Sequence, residues 1–270
     1  MDASSSIQNH YNYSDLRKPA PSLKAARFMD TVVFDIETMG DREKTLEYME
    51  PYPDFVEPKY GNLKDPEKRS LLREQKYKEW EEGEPAWIAK QHDKSALSPV
   101  TGRVVAIGYL FPYGNEGDES LWDQIQIEGL TSSGNHDLQE IAMLNNFWKV
   151  CRCSLGGYGH LIGHNITGFD LQFLIKRSWQ LGVKVYSGIF SGRYFNQYVI
   201  DTMKIWALGE YNKFISLDKL SKILGVGSKM ANYEATQFAE DWLRGDKDTA
   251  EFYLKTDLDL AFKCYQKMYS

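Results

Sequence analysis

The chain has 270 residues, 42% of them hydrophobic and 14% aromatic, enough to bury a sizeable core in one large domain or two modest ones. A formal net charge of −6 excludes a protein that coats nucleic acid by bulk electrostatics, which needs clustered Lys and Arg; it leaves room for one that grips a few phosphates or carries its positive charge on bound ions. No apolar run approaches the ~20 residues that span a bilayer, and MDASSSIQNHYNYSDLRK lacks the basic start and apolar centre of a signal peptide, so no membrane contact and a cytoplasmic location are expected.

Residues 1–28 mix Ser, Asn, Pro and Tyr without helical or strand period and read as an extended or flexible arm. MDTVVFDIET, with its β-branched residues, reads as a first strand. The segment from 41 to about 98 is too long for a simple hairpin connection. It contains at least one polar helix, DPEKRSLLREQKYKEWEE, with Asp65 at the N-cap and Pro66 at the first helical position. Lys59, Lys64, Lys68, Arg69, Arg73, Lys76 and Lys78 make that stretch locally basic. They form either a solvated face balanced by its own acids or a nucleic-acid contact surface.

RVVAIGYLF (103–111) and LWDQIQIEGL (121–130) read as two further strands, and HDLQEIAMLNNFWKVCRC (136–153) has helical spacing. LIGHN (161–165) is a short strand with a polar end, followed by the helix FDLQFLIKRSWQLG (169–182), which glycine closes. YVIDTMKIW (198–206) reads as a last strand or strand edge; SLDKLSKILG (216–225) is a helix with a Ser cap and a Gly stop. QFAEDWLRG and TAEFYLKTDLDLAFKCYQKM complete a helical C-terminal third. Together these elements predict one mixed α/β sheet with helices on its faces. Cys151, Cys153 and Cys264 have no zinc spacing and form no even framework, so they read as reduced and structural.

Three places put acids where apolar packing is expected. In a strand, residues i and i+2 share a face, so Asp35 and Glu37 stand side by side. A divalent cation such as Mg²⁺ or Mn²⁺ between them would remove their repulsion; the alternative is that Glu37 simply ends the strand at a solvent edge. In GHNITGFDLQFL, Asn165 closes a strand and Asp170 opens a helix. Asp170 is either a capping residue or a ligand at a strand end, and Asn165 has the chemistry to bond a sugar or phosphate. In EFYLKTDLDLAFKCY, Tyr253 and Asp257 share one helical face, and an Asp among so many apolar residues is costly to bury unless it is paired or binds metal.

FDIET, then N-x-x-x-F-D, then Y-x-x-x-D-x-x-L, in that order, resemble the three exonuclease motifs of the DnaQ-like, or DEDD, 3′–5′ exonuclease superfamily. The sequence is most similar to the exonuclease domain of family B DNA polymerases and its stand-alone relatives, from about residue 31 onward. The resemblance implies a ribonuclease H-like mixed five-stranded sheet flanked by helices over 29–270, with a long insertion (41–98) after the first strand. It also implies two divalent metal ions, Mg²⁺ or Mn²⁺. Asp35 would bridge them, Glu37 and Asp257 would complete the tighter site, and Asp170 would hold the second ion directly or through water.

Members of the superfamily orient the attacking water with a Tyr four residues before the last Asp or a His five residues before it. Here those positions hold Tyr253 and Phe252, and no histidine follows His164, which places the chain with the tyrosine subclass. Thr38 and Met39 would touch the terminal sugar and base, and Phe169 matches the aromatic before the second acid. Asp201 is a possible outer-shell acid or an ordinary strand-end residue, and His164 reads as a satisfied strand-end histidine. The expected partner is nucleic acid with a free 3′ end, single-stranded DNA first, with nucleoside 5′-monophosphates as product. An exoribonuclease of the same chemistry and a non-catalytic nucleic-acid or protein binding module are the alternatives.

Overall fold

The structure, a computed structural model, describes residues 31–112, 121–191, 194–210 and 213–269. The expected arm over 1–28 lies outside the described residues. The first strand, β1 (Val32–Gly40), pairs antiparallel with β2 (Gly102–Leu110), which pairs antiparallel with β3 (Ile125–Gly129). On its other side β1 pairs in parallel with β4 (Leu161–Gly163). A two-residue hairpin, β5 (Phe190–Ser191) with β6 (Tyr194–Phe195), stands apart from β7 (Val199–Asp201), which pairs in parallel with β4. The result is a mixed five-stranded sheet in the order β3-β2-β1-β4-β7.

Three helices fill the long connection after β1: α1 (Arg42–Tyr48), α2 (Pro66–Glu81) and α3 (Glu84–Ser95). Asp65 accepts from the Glu67 and Lys68 N–H groups, so α2 begins at the expected cap. It buries none of its own residues, and a knot of rings from Tyr52, Phe55, Tyr77 and Trp80 steadies it. Several of the basic side chains are answered by nearby acids: Arg73 by Glu57 at 2.8 Å, Lys76 by Glu79 at 2.5 Å and Lys78 by Glu82 at 3.8 Å.

Helices α4 (His136–Gly156) and α5 (Asp170–Gln180) cover one face of the sheet. Phe147, Trp148, Leu171 and Leu174 pack there on Phe34 and Ile36. Between these helices Arg177 and Glu140, both fully buried, form an ion pair at 2.6 Å, and Glu140 also accepts the Val104 N–H. The short helix α6 (Thr202–Ala207) follows β7 directly. The opposite face is covered by α7 (Leu217–Leu224), α8 (Ala235–Arg244) and α9 (Lys247–Tyr269), with Leu220, Phe238, Leu254 and Leu258 packed on Val33, Val105 and Leu110.

Two expected strands are shorter than their apolar runs. Leu121–Gln124 forms a 3₁₀ turn ahead of β3. In YVIDTMKIW the strand stops at Asp201, whose carboxylate accepts from the Met203 and Lys204 N–H groups and so starts α6. Cys151, Cys153 and Cys264 are free thiols, and among the described residues no helix is long and apolar enough to cross a membrane.

Candidate active site

The site forms where β1 outruns its parallel neighbour. β4 pairs with β1 only at Val32 and Val33. The Ile36 N–H farther along therefore donates to Asp170 Oδ1, at 3.1 Å, and this bond fixes the start of α5 against the strand. Opposite, Glu37 faces Ala106 and Thr38 faces Val104, leaving Val105 as the extra residue of a β-bulge directly beside the acids. Two positions before Glu37, Asp35 faces Gly108, where an added Cβ would lie 2.8 Å from Leu258 Cδ1 and 3.0 Å from Leu254 Cγ. The missing side chain lets α9 settle close to the sheet and brings Tyr253 and Asp257 to the level of Asp35.

Nine of the residues singled out in the sequence line one cleft of about 1010 Å³: Asp35, Glu37, Thr38, Met39, Asn165, Phe169, Asp170, Tyr253 and Asp257. Glu37, Asp170 and Asp257 retain only 6%, 3% and 4% of their exposure. Burial and mutual repulsion hold the Glu37 and Asp170 carboxyls well above the usual carboxylate range. Burial also raises Asp35 and pushes Asp257 up to about 7, against the pull of a nearby lysine. The two adjoining carboxyls also act on each other, Asp35 pushing Asp170 up and Asp170 drawing Asp35 down.

That lysine is Lys229, which no motif or period in the sequence singles out. It sits in the loop between α7 and α8, ion-paired with Asp257 and 3.3 Å from the Tyr253 hydroxyl. Its own N–H donates to Asp218 Oδ1 at 3.0 Å, which fixes the loop. Burial, with Asp257 and Glu37 nearby, raises the Tyr253 hydroxyl above its ordinary 10, so it stays protonated at neutral pH.

The other sequence candidates divide by role. Thr38 donates its hydroxyl to Ala96 O at 2.7 Å, tying the strand end to the insertion. Asn165 adopts φ 63°, and its side chain fills the space beside Gly168, where a Cβ would lie 2.3 Å from Asn165 Oδ1. Asp201 accepts from Asn165 N at 2.9 Å, Thr167 N at 3.0 Å and Thr167 Oγ1 at 2.5 Å. It organises the turn that delivers Asp170 and is not among the residues lining the cleft. His164 bonds Thr202 Oγ1 at 2.9 Å and Ile215 O at 2.8 Å, and both its ring nitrogens are satisfied.

The insertion contributes His92, Asp93, Ala96 and Leu97 to one wall of the cleft, and α8 contributes Glu240 and Arg244 to another. Among the described residues no group of three or more His, Cys, Asp or Glu side chains stands arranged around an ion position; the acids engage one another and Lys229 instead. Their chemistry still fits a hard divalent cation. Every donor is a carboxylate oxygen, the cluster is nearly closed to water, and Asp257 Oδ1 is buried without a hydrogen-bond partner. No protein-family model matches the chain, and no curated protein matches it.

Proposed function

We propose that the chain is a metal-dependent 3′–5′ exonuclease of the DEDD superfamily, tyrosine subclass, acting on single-stranded DNA in the cytoplasm and releasing nucleoside 5′-monophosphates. One observation carries the reading. Four carboxyls from β1, α5 and α9 converge with a protonated tyrosine in a single cleft, in the chain order of the exonuclease motifs. The mixed sheet is compatible with a ribonuclease H-like fold spanning 29–270, with 41–98 as its insertion.

Asp35, Glu37 and Asp257 would hold one divalent cation, and Asp35 with Asp170 a second. Such a pair supplies the Lewis acidity that phosphodiester hydrolysis needs. The chain's own residues do the rest. The Tyr253 hydroxyl, kept protonated, is a poor base and a good hydrogen-bonding group, so it orients the attacking water. Lys229 balances the acids through its ion pair with Asp257 and would offer a fixed positive charge to a bound phosphate. Phe169, Met39 and Leu97 offer apolar surface for the terminal base, and the Asn165 turn holds Asp170 in register.

Matched DNA and RNA oligonucleotides, each free or blocked at the 3′ end, test this reading in Mg²⁺ and in Mn²⁺. Mononucleotide release from free 3′ ends, DNA ahead of RNA, is expected, with loss of about a thousandfold in Asp35→Ala and Asp257→Ala. Equal degradation of blocked and free strands, or undiminished hydrolysis in both variants, would sink it; faster release from RNA would assign the same chemistry to an exoribonuclease.

A further inference from the structure

The ring of Tyr253 is held on several sides. Tyr233 lies 4.9 Å away at a 44° tilt, Phe238 stands 6.4 Å away on the same helical hairpin, and the Lys229 ammonium sits 5.1 Å from the ring centroid. Phe238 in turn stacks on Trp242 at 5.5 Å, and the indole N–H of Trp242 donates to Leu130 O at 2.8 Å beside the sheet edge. A train of rings therefore runs from β3 to the cleft and ends at Tyr253 and Tyr233. Phe238 and Trp242 belong to the core. Tyr233 does not: it is half-buried, in the loop that also carries Lys229, with Asn232 before it at φ 61° turning the chain toward the site.

We infer that Tyr233 is a positioning residue for Tyr253, its ring setting the direction in which the Tyr253 hydroxyl points. The inference rests on the exonuclease reading for its consequence in turnover and on the ring geometry alone for the contact itself. The Tyr253 hydroxyl lies on the Cβ–ring axis, so χ1 sets where it points, and contacts against the ring restrict its swing about χ1. Phe238 supports the core side. Without Tyr233 the other side is left to Lys229, a flexible chain already committed to Asp257. Tyr233 meets Tyr253 through its ring and is not among the residues lining the cleft, so the ring and not the hydroxyl is the part that matters here.

The test uses Tyr233→Ala and Tyr233→Phe, alone and combined with Tyr253→Phe, in the full chain. Turnover of a 3′-free DNA oligonucleotide is expected to fall roughly tenfold in Tyr233→Ala with KM within about twofold, and to return close to wild type in Tyr233→Phe. In the Tyr253→Phe background the same Ala substitution is expected to cost nothing further. A second readout is independent of hydrolysis: in protein labelled with 3-fluorotyrosine, the ¹⁹F resonance of Tyr253, identified by its loss in Tyr253→Phe, is expected to shift in Tyr233→Ala. An equal loss in Tyr233→Phe, an undiminished loss in the Tyr253→Phe background, or an unmoved Tyr253 resonance would overturn the inference. Should the wild type hydrolyse neither DNA nor RNA, the exonuclease reading fails, and the resonance still decides whether Tyr233 holds Tyr253.

Discussion

The ammonium of Lys229 is ion-paired with the carboxylate of Asp257 at the heart of the acid cluster. A tethered cation in that place competes with any free one. Lys229→Ala is therefore expected to tighten Mn²⁺ binding by roughly tenfold, since a positive charge a few ångströms away is removed from a poorly solvated site. In the presence of chelator the same variant should melt at a lower temperature than wild type, because the acids lose their counter-charge. Calorimetric titration and thermal melts read the two effects; unchanged Mn²⁺ affinity would show that Lys229 does not occupy a cation's place.

Glu37 gives a pH signature. Its carboxyl is held well above the ordinary 4.5 by burial and by the neighbouring acids, so the folded protein binds that proton more tightly than the unfolded chain does. The stabilisation is complete below that ordinary value and is lost as pH rises toward the raised one. In chelator, Glu37→Gln is expected to be the more stable protein, by a margin that grows as pH climbs above 4.5. Saturating Mg²⁺ should shrink or reverse the margin. A difference in melting temperature that stays flat across pH would contradict the burial and repulsion assigned to Glu37.

Tyr253→Phe removes one hydroxyl and no metal donor. Turnover is expected to drop roughly ten- to a hundredfold while Mn²⁺ affinity stays within about threefold. A large loss of metal affinity would mean that the hydroxyl serves the ion and not the water.

Asp201→Ala tests the turn that delivers Asp170. It strands the part-buried Asn165 N–H and the buried Thr167 N–H and removes the cap of α6, so a loss of about 3 kcal/mol in urea unfolding is expected. Activity per folded molecule should fall as well, because Asp170 loses the support of the turn before it. Full activity in the folded fraction would show that the Ile36 N–H alone is enough to place Asp170.

The carboxyls were legible in the sequence because periodicity exposed them. Asp35 and Glu37 break an apolar strand at spacing two, and Tyr253 and Asp257 break an apolar helix at spacing four. Lys229 and Tyr233 were not legible. They sit in VGSKMANYE, a loop without period, and reach Tyr253 only because α7 and α8 fold across the face that α9 occupies. Asp201 was noticed as an acid, yet its role as the cap that turns a strand into α6 was hidden by the apolar residues Ile205 and Trp206 beyond it. The insertion's composition left its place open, and the bond from Thr38 to Ala96 O is what draws its end into the cleft wall.

The acids of the cleft come from the first strand of the sheet and from the long C-terminal helix, with α5 between them in the chain. No partial product of translation or proteolysis that lacks α9 contains the constellation, whatever else it has folded. A chain emerging from the ribosome among nucleic acids carries Asp35 and Glu37 early, as a half-built site without Tyr253 or Asp257. On the proposed reading, hydrolysis would need α9 docked over Gly108, so that completion of the fold would act as a safety catch.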